Sequence, residues 1–135
     1  MSRKHRLMPG SQFAGTFRIE RVLGEGAMGT VYLAHRGQEP CALKVLKPSV
    51  ASDDPKAIER FAREATVSDR IASDHVVRVL AAGHDDATRL SWLAMEYLDG
   101  ETLEEFVTRS PPHLRLPLIP QLLDAVAAAH HAGVI

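Results

Sequence analysis

The sequence predicts an α+β fold: five short antiparallel strands, one long helix between the third and fourth, and then helices only. Three observations carry this prediction. Strand-like runs at hairpin spacing fill residues 17–46, a single stretch of helical periodicity starts after Asp54, and beyond Asp99-Gly100 the pattern is helical throughout.

Composition sets the outer bounds. The chain has 135 residues, 45% of them hydrophobic, and 16 Lys plus Arg against 17 Asp plus Glu give a formal charge of −1. Such a chain buries about two thirds of its unfolded surface, which is enough for a real core. The balance of charge gives no general field for nucleic acid or anionic lipid. No apolar run reaches the roughly 18 residues of a spanning helix, so no membrane segment is expected. The single Cys41 has no internal disulfide partner and suits a reducing, cytoplasmic setting. The seven histidines show no H-x-x-x-H or Cys-His ligand spacing, so no metal site is expected.

The elements follow in order. Residues 1–12, with the basic run Arg3-Lys4-His5-Arg6 and the Pro9-Gly10 break, are expected to form a flexible leader. Phe17, Ile19 and Arg21 alternate with Arg18, Glu20 and Val22, the pattern of a strand over 17–23 with one solvated face. Val31 to Ala34 is β-branched and aromatic, and Arg36-Gly37-Gln38-Glu39 turns it into a third strand over 41–46. The polar stretch 48–54 ends this run, and Asp53-Asp54-Pro55 caps a helix with Ile58, Phe61, Ala62 and Ala65 inward, ending near Ser73-Asp74. Residues 76–80 and 90–95 read as two more strands, 102–107 as a short helix closed by Ser110-Pro111-Pro112. Ile119, Leu122, Leu123, Val126, Ala127 and His130 then recur at helical spacing, with Gly133 placed as the stop.

Gly24-Glu25-Gly26-Ala27-Met28-Gly29 fits G-x-G-x-x-G, a pattern shared by unrelated nucleotide folds. A dinucleotide-binding fold needs a helix after it, but Thr30 to Leu33 reads as a strand. The phosphate loop G-x-x-x-x-G-K-[ST] fails because no Lys follows Gly29. A glycine turn between antiparallel strands can still bring backbone N–H donors close to phosphate oxygens. Lys44, in a strand interior, is a cation in need of a carboxylate or phosphate, and Glu64 on the helix is the candidate partner.

With these residues in place the sequence resembles the small, nucleotide-binding lobe of a eukaryotic-like (bacterial Hanks-type) serine/threonine protein kinase over residues 13–135. The matching motifs are Gly24 to Val31, the A-x-K run Ala42-Leu43-Lys44, the helix glutamate Glu64 and a hinge at Met95-Glu96-Tyr97-Leu98. The resemblance implies that ATP lies under the backbone of Gly24, Glu25, Gly26, Ala27, Met28 and Gly29. It implies Lys44 on the α- and β-phosphates, held by Glu64, with Leu23, Val31 and Ala42 as the roof over adenine. Met95 would stand at the back, and the Glu96 carbonyl and Leu98 amide would meet the adenine edge. It also divides the chain into a small lobe with hinge over 13–98 and the start of a large lobe over 99–135.

The family continues past a helix such as this one with its H-R-D loop, and the sequence stops at Ile135. The expectation is therefore a truncated kinase: an ATP-binding part, inactive alone, because the catalytic base and the ligands that hold Mg²⁺ in a complete kinase lie in motifs it lacks. The stripe Ile119, Leu122, Leu123 and Val126 needs a large lobe to cover it, which favours that reading over a non-catalytic nucleotide-binding or regulatory module. The family's apolar position four residues after Glu64 is here Ser68. The protein substrate is not legible.

Overall fold

The computed structural model describes residues 6–134. Six strands, β1 (Gln12–Phe13), β2 (Phe17–Glu25), β3 (Gly29–Arg36), β4 (Glu39–Leu46), β5 (Val79–Asp85) and β6 (Leu90–Glu96), form one antiparallel sheet ordered β1-β2-β3-β4-β6-β5. The five expected strands are all present. The additional strand is the two-residue β1, paired Gln12↔Arg18 and Phe13↔Phe17.

That strand corrects the expected leader. From Leu7 on, the chain is joined to the sheet: the Leu7 amide donates to the Tyr32 hydroxyl at 3.2 Å. The Gly10 amide donates to the Ile19 carbonyl at 2.7 Å, and the Ile19 amide to the Ser11 carbonyl at 2.9 Å. Leu7 and Phe13 also pack on the core, so apolar burial as well as backbone bonding holds this segment. The basic run up to His5 lies outside the described residues.

The hairpin between β3 and β4 is as expected, with Arg36↔Glu39 closing a two-residue loop in which Gly37 takes φ 64°. The alternation of β2 is broken. Register shifts between Ile19 and Arg21 and between Val22 and Gly24, so Arg21 is exposed although Phe17 and Ile19 are fully buried. An extra residue in one strand bends and twists the pair, which lets the glycine end of β2 curl over the sheet.

β4 is buried on both sides. Cys41, Leu43 and Val45 enter one core with Phe17, Ile19 and Tyr32, and Leu46 enters a second with Phe61 and Leu93. The second core lies between the sheet and helix α2 (Pro55–Ser68), which follows a short helix α1 (Pro48–Asp53). Helix α1 was not legible in the sequence; Pro48 opens it, and Val50 and Ala51 pack on that second core.

Asp54 caps α2 as expected, its side chain accepting from the Lys56 amide at 2.9 Å. Phe61 and Ala65 face inward as expected, but Ala57 is buried in place of Ile58, which is 42% exposed, and Ala62 is exposed as well. The helix ends at Ser68, short of Ser73-Asp74, because i→i+3 bonds from Arg70 to Val67 and Ile71 to Ser68 tighten the chain into a turn. Strand β5 consequently starts at Val79 and not at Val76.

Helices α3 (Leu103–Arg109), α4 (Pro112–Arg115) and α5 (Leu118–His131) complete the chain. A capping box between Thr102 and Glu105 starts α3, and Gly133, at φ 76°, follows α5. Among these, α4 was not expected. Ile119, Leu122, Leu123 and Val126 are each at least half exposed.

Candidate functional site

The glycine segment is a tight connection between antiparallel strands. Gly24 pairs with Val31 and Glu25 with Thr30, and the Gly26 amide donates to the Gly29 carbonyl at 2.9 Å. Gly29 is fixed by space: a Cβ there would lie 2.5 Å from the Val45 carbonyl oxygen. Gly24 faces open space, with no atom within 4 Å of such a Cβ. Met28, at the turn, packs inward on the second core.

Strand register gathers the next group on one face. Residues opposite each other in an antiparallel pair share a side of the sheet. The pairs Gly24↔Val31, Val31↔Lys44, Leu33↔Ala42 and Ala42↔Met95 therefore set Val31, Ala42, Lys44 and Met95 on the face that meets α2. Leu23 sits at a register shift of β2 and is half-buried.

Lys44 and Glu64 meet across this face. The ammonium lies 2.9 Å from Oε2 and 3.1 Å from Oε1 of Glu64, and 5.8 Å from the centre of the Phe61 ring. The Lys44 side chain is 21% exposed and that of Glu64 47%, so the pair opens to solvent on the glutamate side. One carboxylate held by both oxygens fixes the direction of the ammonium and leaves a donor for a second anion. An anion between Lys44 and the glycine turn would meet a point charge on one side and backbone donors on the other.

The expected hinge residues are placed differently from one another. Glu96 accepts from the Arg78 amide through Oε1 at 2.7 Å and donates its own amide to the Arg78 carbonyl at 3.0 Å, which ties the end of β6 to the segment before β5. Leu98 is 66% exposed and lines an open groove with Leu103, Leu118 and Leu122.

Two contacts were missed in the sequence, the first of them at the glycine turn. Lys47, just past β4, donates to the Gly26 carbonyl at 2.8 Å and lies 3.3 Å from Glu25. Its only sequence signal is a cation at the end of the strand. Asp124 of α5 accepts from Ser73 Oγ at 2.7 Å and meets His75 Nδ1 at 2.9 Å, joining α5 to the turn after α2. These hydrogen bonds, that from His75 first, hold the Asp124 carboxyl below the usual aspartate range. Nothing in the local pattern announces that contact, which spans 49 residues of chain. Among the described residues no group of three or more His, Cys, Asp or Glu side chains could hold a metal ion.

Comparison with known proteins gives a consistent picture. The family described as "Protein kinase domain" matches residues 17–135. The chain is 31% identical over 134 residues to the serine/threonine-protein kinase PrkC of Bacillus subtilis, covering 96% of this chain and 20% of that protein. It is 40% identical over 136 residues to the serine/threonine-protein kinase PknJ of Mycobacterium tuberculosis, covering 97% of this chain and 22% of that protein. The crystal structure of the Mycobacterium tuberculosis PknI kinase domain superposes with a TM-score of 0.72 at 34% identity, over 95% of this chain and 54% of that one. The chain thus spans about a fifth of the length of these two curated relatives.

Proposed function

This chain belongs to the protein kinase domain family, and from that premise we propose that it is the ATP-holding part of a protein that phosphorylates serine or threonine in other proteins. The observation that carries the reading is the Lys44–Glu64 pair, at 2.9 and 3.1 Å, on the same sheet face as the glycine turn. Lys44 takes the α- and β-phosphates while Glu64 fixes its ammonium. The backbone from Gly24 through Glu25, Gly26, Ala27 and Met28 to Gly29 covers the phosphates. Leu23, Val31 and Ala42 lie over the adenine, Met95 stands behind it, and the Glu96 carbonyl and Leu98 amide meet its edge.

In this reading the division falls at the hinge, with 13–98 as the small lobe and 99–135 as the beginning of the large one. Neither H-R-D nor D-F-G occurs in the sequence. The family's Mg²⁺ ligands belong to the motifs around those two, and among the described residues no group of three or more His, Cys, Asp or Glu could hold a metal ion by itself. What these residues do is bind and orient the nucleotide. In this reading the chain works in the cytoplasm, where ATP is at hand, and the free thiol of Cys41 supports a reducing setting; no helix among the described residues is long and apolar enough to cross a membrane.

Calorimetry with ATP on Lys44→Met tests this. Loss of a charge-assisted contact costs about 1.5–3 kcal/mol, so affinity should fall about ten- to hundredfold in a variant whose circular dichroism is unchanged. Equal affinity in the folded variant would place the nucleotide elsewhere.

A further inference from the structure

Lys47 fastens the glycine turn with both its side chain and its backbone. Its ammonium donates to the Gly26 carbonyl at 2.8 Å and lies 3.3 Å from the Glu25 carboxylate. Its backbone amide donates to the Met28 carbonyl at 2.9 Å. The remaining bond within the turn runs from the Gly26 amide to the Gly29 carbonyl. Three carbonyls of the turn, those of Gly26, Met28 and Gly29, are thereby engaged, two of them by a single residue.

This decides where the amides go. A trans peptide is planar, with its C=O and N–H on opposite sides. Holding the Gly26 carbonyl toward the ammonium turns the Ala27 amide away from it, and holding the Met28 carbonyl does the same for the Gly29 amide. A free turn of this composition would rotate these peptides readily, because Gly26 has no Cβ to restrict it and a Cβ there would meet only the Gly29 carbonyl, at 3.9 Å. Carbonyls turned toward a phosphate would repel it; amides turned toward it donate.

We propose that Lys47 is a positioning residue: by holding the Gly26 carbonyl with its ammonium it keeps the Ala27 amide presented to phosphate, and so sets the preference of the site for a phosphorylated nucleotide over the bare nucleoside. The proposal rests on the reading of the glycine turn as the phosphate site. Lys47 itself need not touch the ligand, since its ammonium is occupied by Gly26 and Glu25. Lys44, held by Glu64, is a separate cation with a separate role.

Two measurements on Lys47→Met and Lys47→Arg test it. Hydrogen exchange without nucleotide should show faster exchange at Ala27 in Lys47→Met, with Lys47→Arg close to wild type, and no change at Leu43 or Leu93. Calorimetry should show ADP affinity lowered about three- to tenfold in Lys47→Met, adenosine affinity unchanged, and ADP binding restored in Lys47→Arg. Weaker ADP binding with unchanged exchange in the turn would make Lys47 a mere distant charge and overturn the proposal. An equal loss for ADP and adenosine would overturn it as well. If the wild type bound neither ligand, the phosphate reading would fall, and the proposed preference with it, while the exchange result would still decide whether Lys47 holds the turn.

Discussion

Gly29 shows how far a residue type can be read from sequence. The motif names six positions, yet only at Gly29 is the absence of a side chain demanded by packing, through the Val45 carbonyl 2.5 Å from a would-be Cβ. Gly29→Ala must part β3 from β4 and is expected to destabilise the fold by on the order of 1–3 kcal/mol, whereas Gly24→Ala, facing open space, should leave stability nearly unchanged. Urea unfolding of both variants checks this; equal midpoints would mean that the strands shift at no cost. Lys44 and Glu64 were legible because an ammonium in a strand interior needs an anion and the next helix offers one. Lys47 was not, because its partner is a backbone carbonyl whose position depends on the path of the turn. Ile58 was misplaced for a related reason: a stripe starting at Ala57 and one starting at Ile58 differ by one position, and packing on the sheet chose the smaller residue.

Among elements, strands of the first hairpins were the most legible, since a two-residue turn at Gly37-Gln38 fixes their register. The short helices α1 and α4 and the segment 69–78 were the least, the last being tied by contacts distant in sequence. The link of Ser73 and His75 to Asp124 is the main example. It also predicts a response to acid. Asp124 has a folded pKa below its ordinary value, so its contribution is full above that ordinary value, about 4, and is lost as pH falls through the lower folded value. Asp54 at the start of α2, held down first by its hydrogen bond from Arg60, follows the same sign. Exchange protection of α5 and of the first turn of α2 should therefore decline below about pH 4 before that of β3 and β4 does. Uniform loss across all elements would instead mean a single global transition.

For the molecule as a whole, the α+β class, the sheet with one long helix against it and the kinase family were legible, because a glycine turn, a strand lysine and a helix glutamate occur in the order that one fold requires. The docking of residues 7–13 on the sheet was not, since that segment is short, is broken by Pro9-Gly10 and shows no strand periodicity, and is held by backbone bonds together with the burial of its two ends. A polypeptide of these 135 residues is expected to transfer no phosphate from radiolabelled ATP to a basic protein substrate, as it contains neither H-R-D nor D-F-G. Lys44-dependent labelling by that polypeptide would show that other groups perform the transfer. The central claim, that nucleotide lies between the glycine turn and the Lys44–Glu64 pair, is tested most directly by titrating ATP into ¹⁵N-labelled protein and following backbone amide shifts. The account predicts that the largest changes fall on Gly24 to Gly29, Lys44 and Met95 to Leu98. Changes confined to the groove between Leu103 and Leu122, with the glycine turn silent, would contradict it.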